Sequence, residues 1–383
     1  MNDRPIIKRI EVRQFEYQLP DREPRRFSSA PVYKPGSVLS RNASAIRIFS
    51  SAGITGEYVC GSGIGPGFSV IARLLLGRSA FDREALWDVC KHTVGIGLVD
   101  VALWDLAGKF LGAPIHELLG TYRTDIPCQA SSLDGDGCPD GLNSPEAYVE
   151  FAQQCLELGY RAFKIHPWED VPIRKHVTVV HALGKSVGSQ MDLMLDSFNT
   201  LKTFADALKV GYACDEERFF WWEDPLRDGG VSVFAHRRLR QLVKTPLLIT
   251  EHLNGLESKV DFAVGDGTDF VRADPEHDGG ITGVMKIAHA AEGLGLDVEI
   301  HGCGPDRRHL MAAIRNSNYY EMQWVHPRIS ISTASHFFKG DYKDSLDAID
   351  KNGCVPAPQK PGLGVEYDWD YITNHTTNIL KFE

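Results

Sequence analysis

The sequence predicts an α/β protein, a (β/α)8 barrel preceded by a small α+β unit. Three observations carry that expectation. The run Phe219-Phe220-Trp221-Trp222-Glu223-Asp224-Pro225 is a stretch of strand-forming aromatics that ends in a carboxylate and is stopped by proline. A buried parallel strand has this composition, and the carboxyl end of such a strand is where a barrel enzyme keeps its chemistry. Two further apolar runs, Asp192 to Asp196 and Pro246 to Glu251, also end in acids, and Asp196, Glu223 and Glu251 lie 27 and 28 residues apart. That spacing is one strand–helix unit. Finally, the texture changes near Ile126, from mixed elements to a regular alternation of strands and helices.

Taken in order, Ile6 to Leu19 alternates apolar and polar residues and reads as a first strand. Arg22 to Ser40 is polar and rich in Pro, Ser and Arg, which predicts a long loop. Ser44 to Ser51 and Gly56 to Cys60 read as strands joined by a turn at Ala52-Gly53. Helical patterns cover Asp82 to Lys91 and Val99 to Leu111, the second ended by Gly112-Ala113-Pro114. A strand is expected over Ile126 to Ser131, then a loop, Leu133 to Asn143. Ser144 is the expected N-cap, and Pro145 the first residue, of a helix running to Leu158. Further strands are expected to end at His166, Asp196, Glu223, Glu251, Asp274, His301 and near Glu321. With the strand at Ile126 this makes eight. A doubly wound sheet needs a glycine-rich phosphate turn after a strand, and no GxGxxG stands there.

Three carboxylates at the ends of consecutive parallel strands converge and repel unless neutralised, so Asp196, Glu223 and Glu251 imply a hard divalent cation. Alternation along Arg161 to His166 turns Lys164 and His166 into the barrel. Each is expected to suppress the other's protonation and leave a neutral base, from one residue or the other. Asp274 and His301 end successive strands and read as a carboxylate–imidazole pair, with Glu299 as a competing partner for the ring. Glu321, at the last strand, is read as a donor to a developing oxyanion or as the partner of a loop arginine. The same parity turns Asp224 and His252 away from the pocket and leaves Trp221 and Trp222 in the core.

Composition narrows the class. The chain has 383 residues, 43% hydrophobic and 24% charged, with a formal net charge of −10 and no block of Lys or Arg. That balance argues against nucleic acid and anionic membranes as partners. The eight cysteines are scattered without a CxxC pair, as expected of reduced thiols in a cytoplasmic protein. The amino terminus carries charges where a signal peptide needs an apolar core, and no apolar run approaches membrane-spanning length.

Lys164-Ile165-His166, the trio Asp196/Glu223/Glu251, Asp274 and His301 together resemble the enolase superfamily, mandelate racemase-like subgroup. The resemblance extends along nearly the whole chain, through Val101 to Lys109 followed by Leu118-Leu119-Gly120, Asp278-Gly279-Gly280-Ile281-Thr282, and Pro361-Gly362-Leu363-Gly364-Val365. It implies a modified (β/α)8 TIM barrel over residues 125–350, capped by an N-terminal α+β domain over residues 1–124. A C-terminal segment, 351–383, is expected to pack back on the cap. The resemblance further implies one Mg²⁺, a small carboxylate substrate, a symmetric homo-oligomer, and removal of the proton α to the carboxylate. An acid-sugar dehydratase is the first expectation, with a racemase, epimerase or cycloisomerase as the alternative. Three departures set this chain apart. The common Lys-x-Lys is Lys164-Ile165-His166, Asp-x-Asn is Asp196-Ser197-Phe198, and Gly-Glu-Asn is Thr250-Glu251-His252. Polar side chains of Arg26 to Ser40 are expected to close over the substrate, by analogy with the family's cap.

Overall fold

Two long strands open the chain. β1 (Ile7–Pro24) and β2 (Pro31–Ser50) pair antiparallel, from Ile7↔Ser50 to Pro24↔Pro31. The computed structural model describes residues 4–25, 30–61, 63–65, 67–329 and 337–383. Much of Arg22 to Ser40, expected as a loop, is therefore the distal arm of a hairpin. Its residues past Tyr33 are largely exposed, so no buried face imposes an apolar–polar alternation. Backbone pairing holds the arm, and its far end meets the barrel where Val32 pairs with Asp134. β3 (Thr55–Cys60) adds to β2. The last strand, Thr376–Phe382, adds to the other side of β1, with Ile10 opposite Phe382.

Helices Phe68–Leu75, Arg83–Cys90 and Ile96–Leu111, followed by the short Ile115–Leu119, belong to the amino-terminal unit. Phe68–Leu75 and Ile115–Leu119 were not anticipated from sequence, and Arg83–Cys90 and Ile96–Leu111 fall close to the expected helices, Ile96–Leu111 being the longest. That longest helix ends on Gly112, whose φ of +70° is the left-handed cap that favours glycine.

Eight strands then form the barrel: β4 (Asp125–Asp134), β5 (Ala162–His166), β6 (Asp192–Asp196), β7 (Trp221–Glu223), β8 (Leu247–Ile249), β9 (Phe270–Ala273), β10 (Asp297–Ile300) and β11 (Tyr320–Val325). Neighbours from β4 to β10 pair parallel in sequence order, and β11 pairs with β4. Among the described residues no strand ladder joins β10 to β11. That seam is bridged by Val298 N–H donating to Asn316 O at 2.8 Å. Ser144 caps the helix Pro145–Leu158 as the sequence predicts, its hydroxyl accepting from Ala147 N–H.

Strand alternation sorts the side chains into two layers. Ala162, Met194, Trp221 and Leu248 fill the barrel floor, while Phe163, Leu195, Trp222 and Ile249 join the core beneath the helices. The two tryptophans thus serve different cores from one strand. Two residues further along from Ala162, Met194 and Trp221 stand Lys164, Asp196 and Glu223, and on β9 Arg272 follows Phe270 in the same way. No helix among the described residues is long and apolar enough to cross a membrane.

Buried aspartates join the amino-terminal unit to the barrel and to the chain end. Asp100 accepts from Thr282 N–H (2.9 Å) and Thr282 Oγ1 (2.6 Å), capping the helix Gly280–Gly293. Gly280 is needed there, since a Cβ would lie 2.3 Å from Asp100 Oδ2. Asp105 accepts from Glu57 N–H and Leu363 N–H, both at 2.8 Å, and pairs with Lys109 at 2.6 Å. Removing that carboxylate orphans two backbone donors in a dry joint. Asp105→Ala should therefore cost roughly 2–4 kcal/mol, read as a lower urea midpoint in equilibrium unfolding.

Candidate active site

The inward residues at the strand exits converge on one buried cluster. Ligand atoms of Asp196, Glu223 and Glu251 all lie within 4.8 Å of one another. Asp196 and Glu223 close their strands, whereas Glu251 stands two residues beyond β8, past Thr250 with φ of +88°. The donor set is three carboxylates, the chemistry a hard divalent cation selects. Glu223 Oε1 meets Arg272 Nε at 2.8 Å as an ion pair without hydrogen-bond alignment, which leaves its lone pairs open to a cation. The residues present therefore fit Mg²⁺.

Lys164 is enclosed by acids. Its Nζ is 2.8 Å from Glu223 Oε2, 2.8 Å from Glu321 Oε1 and 3.6 Å from Asp196 Oδ2. Burial works against its charge, but Glu223 and Glu321 outweigh burial and hold the ammonium above the ordinary lysine range. Of the two candidate bases, Lys164 is thus the one that carboxylates surround. His166 sets Nδ1 against Ser132 O at 2.8 Å and Nε2 against Asp196 Oδ2 at 3.0 Å. Asp196 is held low, against burial, by His166 and Lys164. Its other oxygen accepts from Phe198 N–H at 2.8 Å, a main-chain bond that does not replace the amide side chain of the family pattern.

Glu321 sits among four donors. It accepts from Lys164, from Ser131 Oγ (2.9 Å), from Arg272 Nη2 (2.7 Å) and from Gly302 N–H (2.8 Å). Burial raises its carboxyl, but Arg272 and Lys164 pull it well below the carboxylate range. Its arginine partner comes from β9, not from a loop. Arg272 also places Nε 2.8 Å from Glu223 Oε1 and 3.9 Å from Glu251 Oε2. This buried cation was missed in the sequence. The parity that turned Lys164 and His166 inward would have found it, two residues before Asp274.

His301 closes the opposite side. Its Nδ1 lies 2.6 Å from Asp274 Oδ2, and its Nε2 lies 3.7 Å from Glu251 Oε1. Burial disfavours the imidazolium, yet Glu251 and Asp274 push its pKa up to about 9. A divalent cation on Glu251 would relax part of that pull. Glu299 is not the partner of this ring; it accepts from Asn318 Nδ2 at 2.7 Å, and burial pushes its carboxyl up to about 7. Lys259, buried on the helix Leu256–Val264, donates to the carbonyls of Thr250 (2.6 Å) and Arg272 (2.7 Å) and pairs with Asp278. It fixes the exits of β8 and β9 side by side.

A cavity of about 940 Å³ opens above the cluster, lined by Lys164, His166, Glu251 and His301 below and by Ser40, Arg41 and Asn42 from β2 above. Of the expected covering loop, residues 26–29 lie outside the described residues. His252 also lines this cavity, contrary to the parity expectation. The chain leaves strand geometry at Asp224 (φ +40°) and Thr250, so alternation no longer applies beyond the strands. His252 Nε2 meets buried Asp224 Oδ2 at 3.0 Å.

That pair gives a pH signature. The hydrogen bond to Asp224, against burial, raises His252 to about 9 from its ordinary 6.5. Its stabilisation is complete below about pH 6.5 and is lost as pH rises through about 9. Asn tolerates the positive φ at residue 224. The gap in melting temperature between wild type and Asp224→Asn should therefore be widest near pH 6 and shrink toward pH 10. A gap that stays constant would refute the pairing.

Residues 147–371 match the enolase C-terminal domain-like family, and residues 35–120 match the mandelate racemase / muconate lactonizing enzyme N-terminal domain. D-gluconate dehydratase of Thermoproteus tenax is 28% identical over 287 residues, which is 72% of this chain but only 54% of that enzyme. D-gluconate/D-galactonate dehydratase of Picrophilus torridus is 28% identical over 288 residues, 72% of this chain and 69% of the relative. The crystal structure of D-glucarate dehydratase from Agrobacterium tumefaciens, complexed with magnesium, aligns with a TM-score of 0.87 at 26% identity, covering 97% of this chain and 99% of that one. Matched over both of its parts, with the carboxylate trio at the barrel mouth, the chain belongs to the enolase superfamily, in its mandelate racemase and muconate lactonizing enzyme branch.

Proposed function

We propose that this protein is a magnesium-dependent acid-sugar dehydratase. It removes the proton α to a carboxylate and expels the β-hydroxyl as water, leaving a 2-keto-3-deoxy acid. The observation that carries the reading is the position of the Asp196/Glu223/Glu251 trio, flanked by His166 on one side and by the Asp274–His301 pair on the other. The acid-sugar dehydratases among its relatives support the choice of substrate class.

Mg²⁺ held by the trio would supply the electrostatic stabilisation that enolisation beside a carboxylate requires. Lys164, already a cation between Glu223 and Glu321, meets the substrate carboxylate. Glu321 holds Lys164 and Arg272 in place. Lys164 directs its ammonium to two acids at 2.8 Å, which leaves His166 as the base on that face. With Nδ1 donating to Ser132 O, its Nε2 can take a proton only when Asp196 Oδ2, which receives the Nε2 proton in the unfilled site, is turned to the cation it would hold. The α proton passes to His166, and the C–H electron pair becomes the enolate. His301, its imidazolium stabilised by Asp274, gives a proton to the departing β-hydroxyl. Water leaves, and the resulting enol tautomerises to the keto acid. With bases on both faces, the scaffold also suits racemisation, and N-succinyl-L-Arg/Lys racemase of Bacillus cereus is 24% identical over 311 residues.

Proton NMR in deuterated water separates these cases. Aldonic and aldaric acids incubated with protein and Mg²⁺ should lose the α signal and gain a 3-deoxy methylene. His301→Asn should still exchange the α proton while product formation falls by about 10²–10⁴, and His166→Asn should lose both. Retention of exchange with one enantiomer only, in each single-face variant, would instead identify a racemase. The reading fails if no acid exchanges with the wild type. Independently, Glu223→Gln should weaken Mg²⁺ binding by more than about a hundredfold in titration calorimetry, beyond the range seen for outer-shell changes.

A further inference from the structure

Arg307 lies outside the trio and its flanking bases, in the first turn of the helix Pro305–Ala313, and is buried. Every arm of its guanidinium is used. Nε donates to His301 O at 3.0 Å, and Nη2 reaches Asp274 Oδ1 at 3.1 Å and Glu276 Oε1 at 3.2 Å. Nη1 donates to Asp306 Oδ2 at 3.0 Å and to the hydroxyl of Tyr58 at 3.0 Å. Tyr58 belongs to β3 of the amino-terminal unit, is 1% exposed, and donates its own hydroxyl proton to Asp306 Oδ2 at 2.9 Å. One planar cation therefore grips the carboxylate of the Asp274–His301 pair, the backbone of its histidine, and a residue of the cap 249 positions away.

We propose that Arg307 is a positioning residue that fixes the Asp274–His301 pair and ties it to the cap through Tyr58. Asp274 has two oxygens with separate duties: Oδ2 orients the imidazole, and Oδ1 is pinned by Arg307 and by Glu276 N–H at 2.7 Å. A carboxylate held at both oxygens cannot swing away from the ring, so His301 keeps one orientation toward Glu251. Arg307 itself is anchored by Tyr58 and Asp306, so the seat of β3 on the barrel sets where the fork points. A lysine in its place keeps the charge but offers no fork. The bond to Asp274, the bond to His301 O and the tether to Tyr58 cannot then all be made at once.

The test uses the full-length, Mg²⁺-loaded protein, with ring-labelled histidine, the wild type, Tyr58→Phe, Arg307→Lys and Arg307→Gln. His301 is assigned by the signal that His301→Asn removes. Without substrate, a hydrogen-bonded Nδ1 proton resonance of His301 should be present in the wild type. It should be shifted in Tyr58→Phe and broadened or lost in both Arg307 variants. For whichever acid turns over, kcat should fall about 3–10-fold in Tyr58→Phe and about 10–100-fold in Arg307→Lys, the range for partners that orient a reactive group. KM should stay within about twofold. A merely structural role would lower the melting temperature while leaving the ring signal and kcat of the folded variants at wild-type values, and that outcome would overturn the proposal. If Arg307→Gln fails to fold, Tyr58→Phe decides alone. This inference rests on the dehydratase reading only for its kinetic arm. If no acid turns over, that reading fails, and the ring resonance still judges Arg307.

Discussion

Charge at the mouth of the barrel is the constraint on which the rest depends. Asp196, Glu223, Glu251 and Glu321 crowd four carboxylates around two buried cations, Lys164 and Arg272. Carboxylates that close disfavour one another's ionisation, and burial adds to that cost. The fixed cations each bridge two acids, which holds the side chains together without cancelling their charge. The acids outnumber these cations, and a divalent ion held by the trio would offset the difference. The cost of the cluster in isolation has to be carried by the scaffold beneath it.

That scaffold is rigid where the strain is greatest. The floor of Ala162, Met194, Trp221 and Leu248 is apolar and packed, so the inward positions one step higher have a fixed base. Beyond the strand ends, the chain turns through Asp224 and Thr250 with positive φ, conformations that non-glycine residues adopt only when their surroundings impose them. Lys259 imposes one of these, by holding the carbonyls of Thr250 and Arg272 together. Such supports act at a distance of one residue from the chemistry. They determine where Glu251 stands without touching a substrate.

The strand-end acids and histidines were readable in the sequence because a period of two residues, repeated every 26 or so, leaves few arrangements. That periodicity belongs to the strand and ends with it. His252 defeated the parity argument one residue past Glu251, where alternation had already stopped. The outer arm of the β1–β2 hairpin left no pattern, since both of its faces meet solvent or loop. Ionisation was the least readable property. The state of Lys164 follows from acids on β6, β7 and β11, and only the closed barrel brings those together. Arg307 and Tyr58 stand 249 residues apart, and no local pattern hints at their contact. By contrast, the motifs Asp278 to Thr282 and Pro361 to Val365 proved to be the glycine-dependent joints with Asp100 and Asp105, where a side chain would collide.

The last strand, Thr376–Phe382, completes a sheet begun by β1 near the other end of the chain. Contacts of such sequence separation form late, because the loop they close spans the entire barrel. During synthesis, β1 and β2 emerge first and must wait, with one edge unpaired, until every barrel strand has been made. The edge that waits is Ile10 to Phe15, which alternates apolar side chains and is of the kind that recruits foreign strands. That edge is covered only when Thr376–Phe382 pairs with it, so the seal on the amino-terminal sheet is supplied by a segment that lies beyond every barrel strand in the chain.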